Sequence, residues 1–356
     1  MVGRSCVGVF AFTTARRYDR LACPQLGDTP VACSSARFVA ACFAAALGSG
    51  CATLTPTNPT SPIAQTPDGK QQAIRTPALV VVSLNGVLTY FPITSHGGRN
   101  SMEIARVPGV AAASSMVANG NVVTILDQAP ARVVQYDIIT KAKHVLPDPY
   151  GVPIDITIDK KANLYALNRV LSSASTVTVY RTGSSQPQEL TCKYLDTGVA
   201  IATDNEGDVF VNGSGSAFTG VVEIPNGPNG PQALKCKKLA LQPEEGYVAG
   251  LAIDPKTDDL VVLDDPGFCS GGIEGQMTIY PKPYKASTGR SVDLDGSCVG
   301  LMRLDAASRT VFAIDRTFAS GPTFVIQRSY PGGQGTSTYK DGSVSGFTTI
   351  PNTLPN

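Results

Sequence analysis

Beyond Leu79 the chain is a succession of short apolar runs rich in Val, Ile, Leu and Tyr, each closed by a cluster of Gly, Ser, Asn, Asp or Pro, and it contains no helix-length amphipathic stretch. That pattern predicts strands. One phrase recurs, an apolar run, a polar turn and a second apolar run: GVPIDITIDKKANLYALN (Gly151 to Asn168), GVAIATDNEGDVFVNG (Gly198 to Gly213), YVAGLAIDPKTDDLVVLDD (Tyr247 to Asp265) and CVGLMRLDAASRTVFAID (Cys298 to Asp315). Aligned on the acidic or amide residue that ends the first run (Asn119, Asp159, Asp204, Asp254 and Asp305), the repeats are spaced by 40, 45, 50 and 51 residues. Periods of about 40 to 50 residues with four short strands each predict propeller blades rather than a helical solenoid.

In the third blade the expected strands are Pro153 to Ile158, Asn163 to Asn168, Thr176 to Thr182 and Glu189 to Leu195. The first blade begins abruptly with LVVVSLNGVLTYFPI, where Asn85-Gly86 is a strong hairpin signal, and it has no inner strand before it. At the other end of the chain SVSGFTTIP (Ser343 to Pro351) has the form of VAGLAIDP (Val248 to Pro255) with nothing after it to pair with. The C-terminal segment is therefore expected to supply the innermost strand of blade one, which closes the ring and leaves no exposed edge around the axis. The fold class is all-β: a six-bladed β-propeller over 78–351, with 352–356 as a tail.

Composition narrows the function classes. Lys+Arg 29 against Asp+Glu 28 leaves no basic footprint for a phosphate backbone, so no nucleic-acid partner is expected. The absence of tryptophan removes the strongest cation–π side chain from any ligand site. The chain is expected to be a monomer.

Ahead of the repeats, Arg37 is followed by FVAACFAAAL (Phe38 to Leu47) and then GSGC. Ten apolar residues are too few to span a bilayer, which needs about 20, but suit the core of a signal peptide. Small residues before a cysteine resemble a bacterial lipobox, with Cys51 as the lipidated first residue of the mature chain; Gly48 stands where a large aliphatic is usual, and Leu47 is displaced by one. Ordinary secretion is the alternative. Residues 1–50 are read as the signal region, with an over-extended start and the true signal beginning near Val31; the Arg16-Arg17 pair has no apolar stretch directly behind it. Residues 51–77, rich in Thr, Pro and Gln, read as a tether.

Five of nine cysteines precede the repeats; the four within them, Cys192, Cys236, Cys269 and Cys298, form an even set that suits an exported chain. Cys269 and Cys298 are expected on one face of neighbouring blades, where a bridge is geometrically available. Cys192 and Cys236 occupy similar outer positions of adjacent blades, where the wedges spread apart, so a second bridge competes there with buried free thiols.

The blade phrase, GVPIDITIDKKANLYALN followed by TVTVY, resembles the repeats of the NHL-type and senescence-marker-protein/gluconolactonase-type six-bladed propellers. In the gluconolactonase-like enzymes, the resemblance implies a divalent metal held in the channel by acid and amide side chains before the glycine of inner strands. Here those places hold Ala249, Val299 and Ser345, poor ligands for a hard cation. Asp155 replaces that glycine in blade three and is a candidate channel residue, though a lone one, and is otherwise read as solvated or locally hydrogen-bonded. Polar residues recur at the ends of the second strands: Asp127, Asn168, Asn212, Asp264 and Asp315. They are expected to ring one face, either as a shallow binding surface or as architectural turn caps. His96 and His144 fall in outer positions with no nucleophile or carboxylate partner implied, so no catalytic residue is nominated. The expectation is an extracytoplasmic, lipid-anchored binding or interaction module without cofactor or metal, its partner a small molecule, glycan or envelope protein. The competing expectation is a lactonase-like hydrolase or lyase with its site at the channel mouth.

Overall fold

The structure is a computed structural model that describes residues 78–350 apart from 94–100, 172–173, 185, 216–217, 228–229, 242–246, 266–274, 295–298, 306, 308, 317–322, 334–336 and 341–343. The signal region, Cys51, the tether, the tail, His96, Cys269 and Cys298 lie outside the described residues.

Six four-stranded antiparallel sheets follow one another along the chain. Their innermost strands are Ala113–Asn119 in blade two, Val152–Ile158 in blade three, Thr197–Thr203 in blade four, Tyr247–Ile253 in blade five and Val299–Leu304 in blade six. The inner strand of blade one is the C-terminal Val344–Ile350, which pairs antiparallel with Ala78–Ser83. The ring therefore closes as the sequence implies. The outer strand of blade three is shorter than expected, Gln188–Thr191, because the chain turns at Cys192, whose carbonyl accepts the Leu195 N–H. His144 lies on the outer strand of blade two, Lys143–Pro147.

The repeat's acidic marker turns out to be a turn device. Asp159 Oδ1 accepts the backbone N–H groups of Lys161 and Asn163 at 2.9 and 2.8 Å, and Asp204 Oδ1 those of Glu206 and Asp208 at 3.0 and 2.8 Å. Asp305 does the same for Arg309 and Thr310 at 2.7 and 2.9 Å. A carboxylate placed at the end of the inner strand satisfies donors that the reversal would otherwise leave unpaired.

The core is divided by strand periodicity. Because successive side chains point to opposite faces of a sheet, Ala78, Val80 and Val82 pack toward blade two, while Leu79 and Val81 pack toward blade six. In blade four, Val209 and Val211 join the wedge shared with blade three, and Phe210 joins the one shared with blade five. Both faces of each blade are covered, so the middle strands read as unbroken apolar runs rather than alternating ones. Aromatic contacts seal the closing wedge: Phe91 of blade one meets Tyr339 of blade six edge-to-face at 5.4 Å between centroids.

Toward the axis the inner strands crowd one another, and each carries a register irregularity against its neighbour. Where it occurs in blade one, a Cβ on Gly346 would stand 2.8 Å from the Ser115 Cα of blade two. Only glycine allows backbones so close. Gly346→Ala is expected to lower stability by about 1–3 kcal/mol, whereas Gly300→Ala, where a Cβ meets nothing within 4 Å, is expected to be near neutral; urea melts of the two variants check the contrast.

Candidate functional site

The axis is crossed by an ion pair. Arg303, on the inner strand of blade six, reaches the opposite side of the ring and places its Nη2 2.6 Å from Oδ1 of Asp155, on the inner strand of blade three. Asp155 is 1% exposed and Arg303 13%. Around them, Ser115 of blade two donates its hydroxyl to Asp155 Oδ1 at 2.8 Å, and the Ile201 N–H of blade four donates to Oδ2 at 3.0 Å. Arg303 also donates to Ser115 Oγ, to the Ile156 carbonyl and to its neighbouring Met302 carbonyl. One carboxylate and one guanidinium thus tie four blades together across the centre. The expectation of a lone or solvated Asp155 is corrected: the residue is buried and its charged partner lies 148 positions away, while it also bonds locally by accepting the Ile156 N–H at 2.9 Å.

Arg303 was absent from the residues nominated by sequence, although a signal existed. It stands two places before the turn aspartate, where the other blades carry Val117, Thr157, Ala202, Ala252 and Thr348. A single charge among small and apolar equivalents, on a strand that faces the axis, needs a partner of opposite sign. Its Nε–H is buried with no acceptor among the described residues, which raises the dependence of the guanidinium on Asp155.

The second-strand polar residues are located differently from a surface ring. Asp127, Asn168 and Asn212 are fully buried. Asp127 accepts the Ala112 N–H at 2.9 Å and pairs with Arg132 at 2.8 Å. Asn212 accepts the Ala200 N–H at 2.9 Å and donates to the Gly250 carbonyl of blade five at 3.0 Å, which joins adjacent inner strands. The backbone of Asp264 pairs with Val248 and Gln276, and that of Asp315, a half-buried residue, with Val299 and Phe324.

Asn168 belongs to a buried polar knot beneath the loop joining blades two and three. Asp148 Oδ1 accepts from Thr178 Oγ1 at 2.8 Å, from Asn168 Nδ2 at 3.2 Å and from the Tyr150 N–H at 3.2 Å, while its Oδ2 and Asn168 Oδ1 are buried without donors among the described residues. Burial pushes the Asp148 carboxyl up from its usual range despite the hydrogen bond from Thr178. An acid whose folded pKa is raised stabilises the fold below its unfolded pKa and loses that contribution as pH rises through the folded value. Asp148→Asn replaces an orphaned acceptor by a donor and removes the ionisation. It is expected to raise the unfolding free energy read from urea melts at pH 7 by about 1 kcal/mol, with the gain shrinking as pH falls through the raised pKa.

A pocket of about 130 Å³ opens around the axis on the face where the inner strands end, lined by residues of all six blades, Arg303 among them. Asp159 and Asp204 line it too, but both are already bonded. Asp159 Oδ2 accepts from Asn163 Nδ2 at 2.7 Å and from the Tyr165 hydroxyl at 2.9 Å, and Asp204 Oδ2 pairs with Lys282 at 3.2 Å. Lys282 also reaches Glu206 at 3.0 Å, so the cluster of Asp204, Glu206 and Asp208 already holds an ammonium where a cation would sit. The positions that the family resemblance assigns to metal ligands, Ala249, Val299 and Ser345, supply no carboxylate.

At the rim, Cys192 and Cys236 form a disulfide with a Cα–Cα distance of 5.9 Å. Blade four's outer strand is only Lys237–Lys238, and Cys236 precedes it at the end of a short turn of helix, Ala233–Lys235. That turn packs beside Cys192 in the wedge shared with blade three. None of the described residues forms a helix long and apolar enough to cross a membrane.

No protein-family model matches this chain, and no curated protein matches it. Solved structures do. A chain of the nidogen/laminin complex aligns at a TM-score of 0.60 with 14% identity, over 77% of this chain and 98% of that one. A protein described as TolB from Agrobacterium tumefaciens aligns at 0.54 with 9% identity, over 76% and 92% of the two chains. TolB from Acinetobacter baumannii aligns at 0.52 with 11% identity, over 77% and 66%. At these identities the likeness shows the propeller fold and nothing narrower.

Proposed function

We propose that this protein is an extracytoplasmic β-propeller, tethered through a lipid on Cys51, that binds a small molecule, glycan or envelope protein without catalysing a reaction. The observation that carries the reading is the pairing of the axial charges with each other. Lactonase-like chemistry at a channel mouth needs carboxylates or amides free to hold a metal or take a proton. Here Asp155 is committed to Arg303, Ser115 and Ile201, and near the mouth Asp204 and Glu206 are committed to Lys282 while Asp208 accepts the Asn226 N–H. Groups spent on joining blades favour a rigid platform whose loops and pockets recognise a partner. The Cys192–Cys236 bridge supports an oxidising compartment, and FVAACFAAAL followed by GSGC supports export with lipidation.

Two measurements test it. The purified chain, assayed against gluconolactone, phenyl acetate and aryl esters with and without calcium, magnesium or zinc, is expected to show no hydrolysis above buffer; metal-dependent turnover overturns the reading. Expressed in a bacterium with a lipoprotein pathway, the wild type is expected in the membrane fraction with incorporated palmitate, and Cys51→Ala without it. Palmitate retained by that variant refutes the anchor.

A further inference from the structure

The buried knot around Asp148 distributes its donors unevenly. Thr176, Thr178 and Tyr180 leave the third strand of blade three, Thr176–Tyr180, on one side, because alternate residues of a strand share a face. All three hold the loop 148–151 that joins blades two and three, or the residue before it. The Thr176 hydroxyl donates to the Tyr150 carbonyl at 3.1 Å, the Thr178 hydroxyl to Asp148 Oδ1 at 2.8 Å and the Tyr180 hydroxyl to the Pro147 carbonyl at 3.1 Å. Asp148 Oδ1 thus takes three donors, counting Asn168 Nδ2 and the Tyr150 N–H, whereas the buried Oδ2 takes none among the described residues. An ionised carboxylate spreads its charge over both oxygens, so this arrangement strands part of a charge where water does not reach. A protonated carboxyl fits it: Oδ1 is then the carbonyl acceptor and Oδ2 a donor. Acceptors for that proton are at hand in Asn168 Oδ1, buried without a donor among the described residues, and in the Tyr180 hydroxyl beside the carboxyl, whose own proton goes to Pro147.

We infer that Asp148 is a proton-operated latch: protonated, it fastens the loop joining blades two and three onto the middle strands of blade three, and ionised, it lets that loop loosen. The groups facing the carboxyl are Asn168 from the second strand, Leu164–Arg169, Thr178 and Tyr180 from the third, and Tyr150 from the loop itself. None of them is charged at neutral pH, and the two tyrosines are the titratable ones. Asp148 has no ion-pair partner among the described residues, in contrast to Asp127 with Arg132 and Asp155 with Arg303. Burial acts in the same direction, raising the carboxyl from its ordinary range. An ionised Asp148 reaches water only if the loop lifts from blade three, which frees the Tyr150 carbonyl from Thr176 and the Tyr150 hydroxyl from the Pro187 carbonyl. The sign follows from linkage. A carboxyl whose pKa is higher in the closed loop than in the open one favours closure in acid and gives it up as pH rises through the closed-loop value. The latch operates whether or not the protein binds a partner, so its failure and that of the binding reading are separate.

The test uses the full chain and the proton alone as ligand. Nuclear magnetic resonance of isotope-labelled aspartate carboxyls is expected to give Asp148 a midpoint above the ordinary carboxylate range. Amide hydrogen exchange, corrected for intrinsic rates, is expected to show protection at Tyr150 and Gly151 falling as pH rises through that midpoint, while the inner strands stay protected. For each pH unit between the closed-loop midpoint and the open-loop value, the loss of protection is about 10-fold. Asp148→Asn keeps the Oδ1 acceptor, supplies a permanent donor and cannot ionise, so its protection is expected to be high and independent of pH. Thr178→Val removes a donor that favours the charged form, so it is expected to move the midpoint and the exchange transition upward together. An Asp148 that titrates in the ordinary range overturns the inference. So does an exchange transition that persists in Asp148→Asn, or one that stays in place when Thr178→Val moves the midpoint.

Discussion

Asp155→Ala is expected to destabilise the fold by about 3–5 kcal/mol, because it leaves the Arg303 guanidinium buried at the axis without a counter-charge. The carboxylate is 1% exposed and accepts from blades two, three, four and six. Arg303→Met should cost less, since Asp155 then keeps the Ser115 hydroxyl and the Ile156 and Ile201 amides as donors. The double variant Asp155→Ala with Arg303→Met is expected to be more stable than Asp155→Ala alone. In a double-mutant cycle read from urea melts, the coupling should exceed about 1 kcal/mol, above the level at which independent sites simply add. Additive losses would mean that the pair contributes nothing as a pair and that the axis is held by apolar packing alone.

Reduction of the Cys192–Cys236 bridge is the second large effect. The bond closes a loop with a sequence separation of 44, and for a loop of that size the chain-entropy account gives about 4 kcal/mol. Converted with the entropy of unfolding of a domain this large, that corresponds to a fall in melting temperature of roughly 7 °C. Calorimetry with and without dithiothreitol measures it, and the Cys192→Ala, Cys236→Ala double variant should match the reduced protein. The bridge joins blades three and four at the rim, where the wedge relies least on inner-strand packing. Local opening between these two blades, followed by hydrogen exchange at Gln188–Thr191 and Lys237–Lys238, is expected to increase in the reduced form while the inner strands stay protected.

The repeat was legible because it is written in local physics. A turn aspartate five places before the second strand takes backbone donors within its own reversal, so Asp159, Asp204 and Asp305 mark the first turn of their blades without reference to anything distant. The same locality made Val344–Ile350 recognisable as an inner strand lacking a partner, and Ala78–Ser83 as a sheet lacking an inner strand. The polar residues closing the second strands were visible too, but their destination was not. Asn212 is exposed or buried according to how near blade five comes, and the Gly250 carbonyl arrives from 38 positions away.

The pair at the axis shows the same limit more sharply. Asp155 stood out as a charge on an apolar inner strand and Arg303 did not, although it carries the same signal, and their meeting depends on which blades face one another across a ring of six. The axial pocket faces the turns after the inner strands, opposite the face where the second strands end, because that is where Lys160, Asn205 and Thr349 converge. The Cys192–Cys236 bridge likewise depended on a two-residue outer strand bringing Cys236 back against blade three.

What the amino-acid sequence by itself determined is the all-β repeat, the number of blades and the closure by the chain's own tail, since these follow from strand periodicity and short-range turn chemistry. The tertiary structure alone decided which charges neutralise each other and which cysteines join. Those outcomes are contacts between residues far apart in the chain, and their distances are set only once six wedges have packed into a ring.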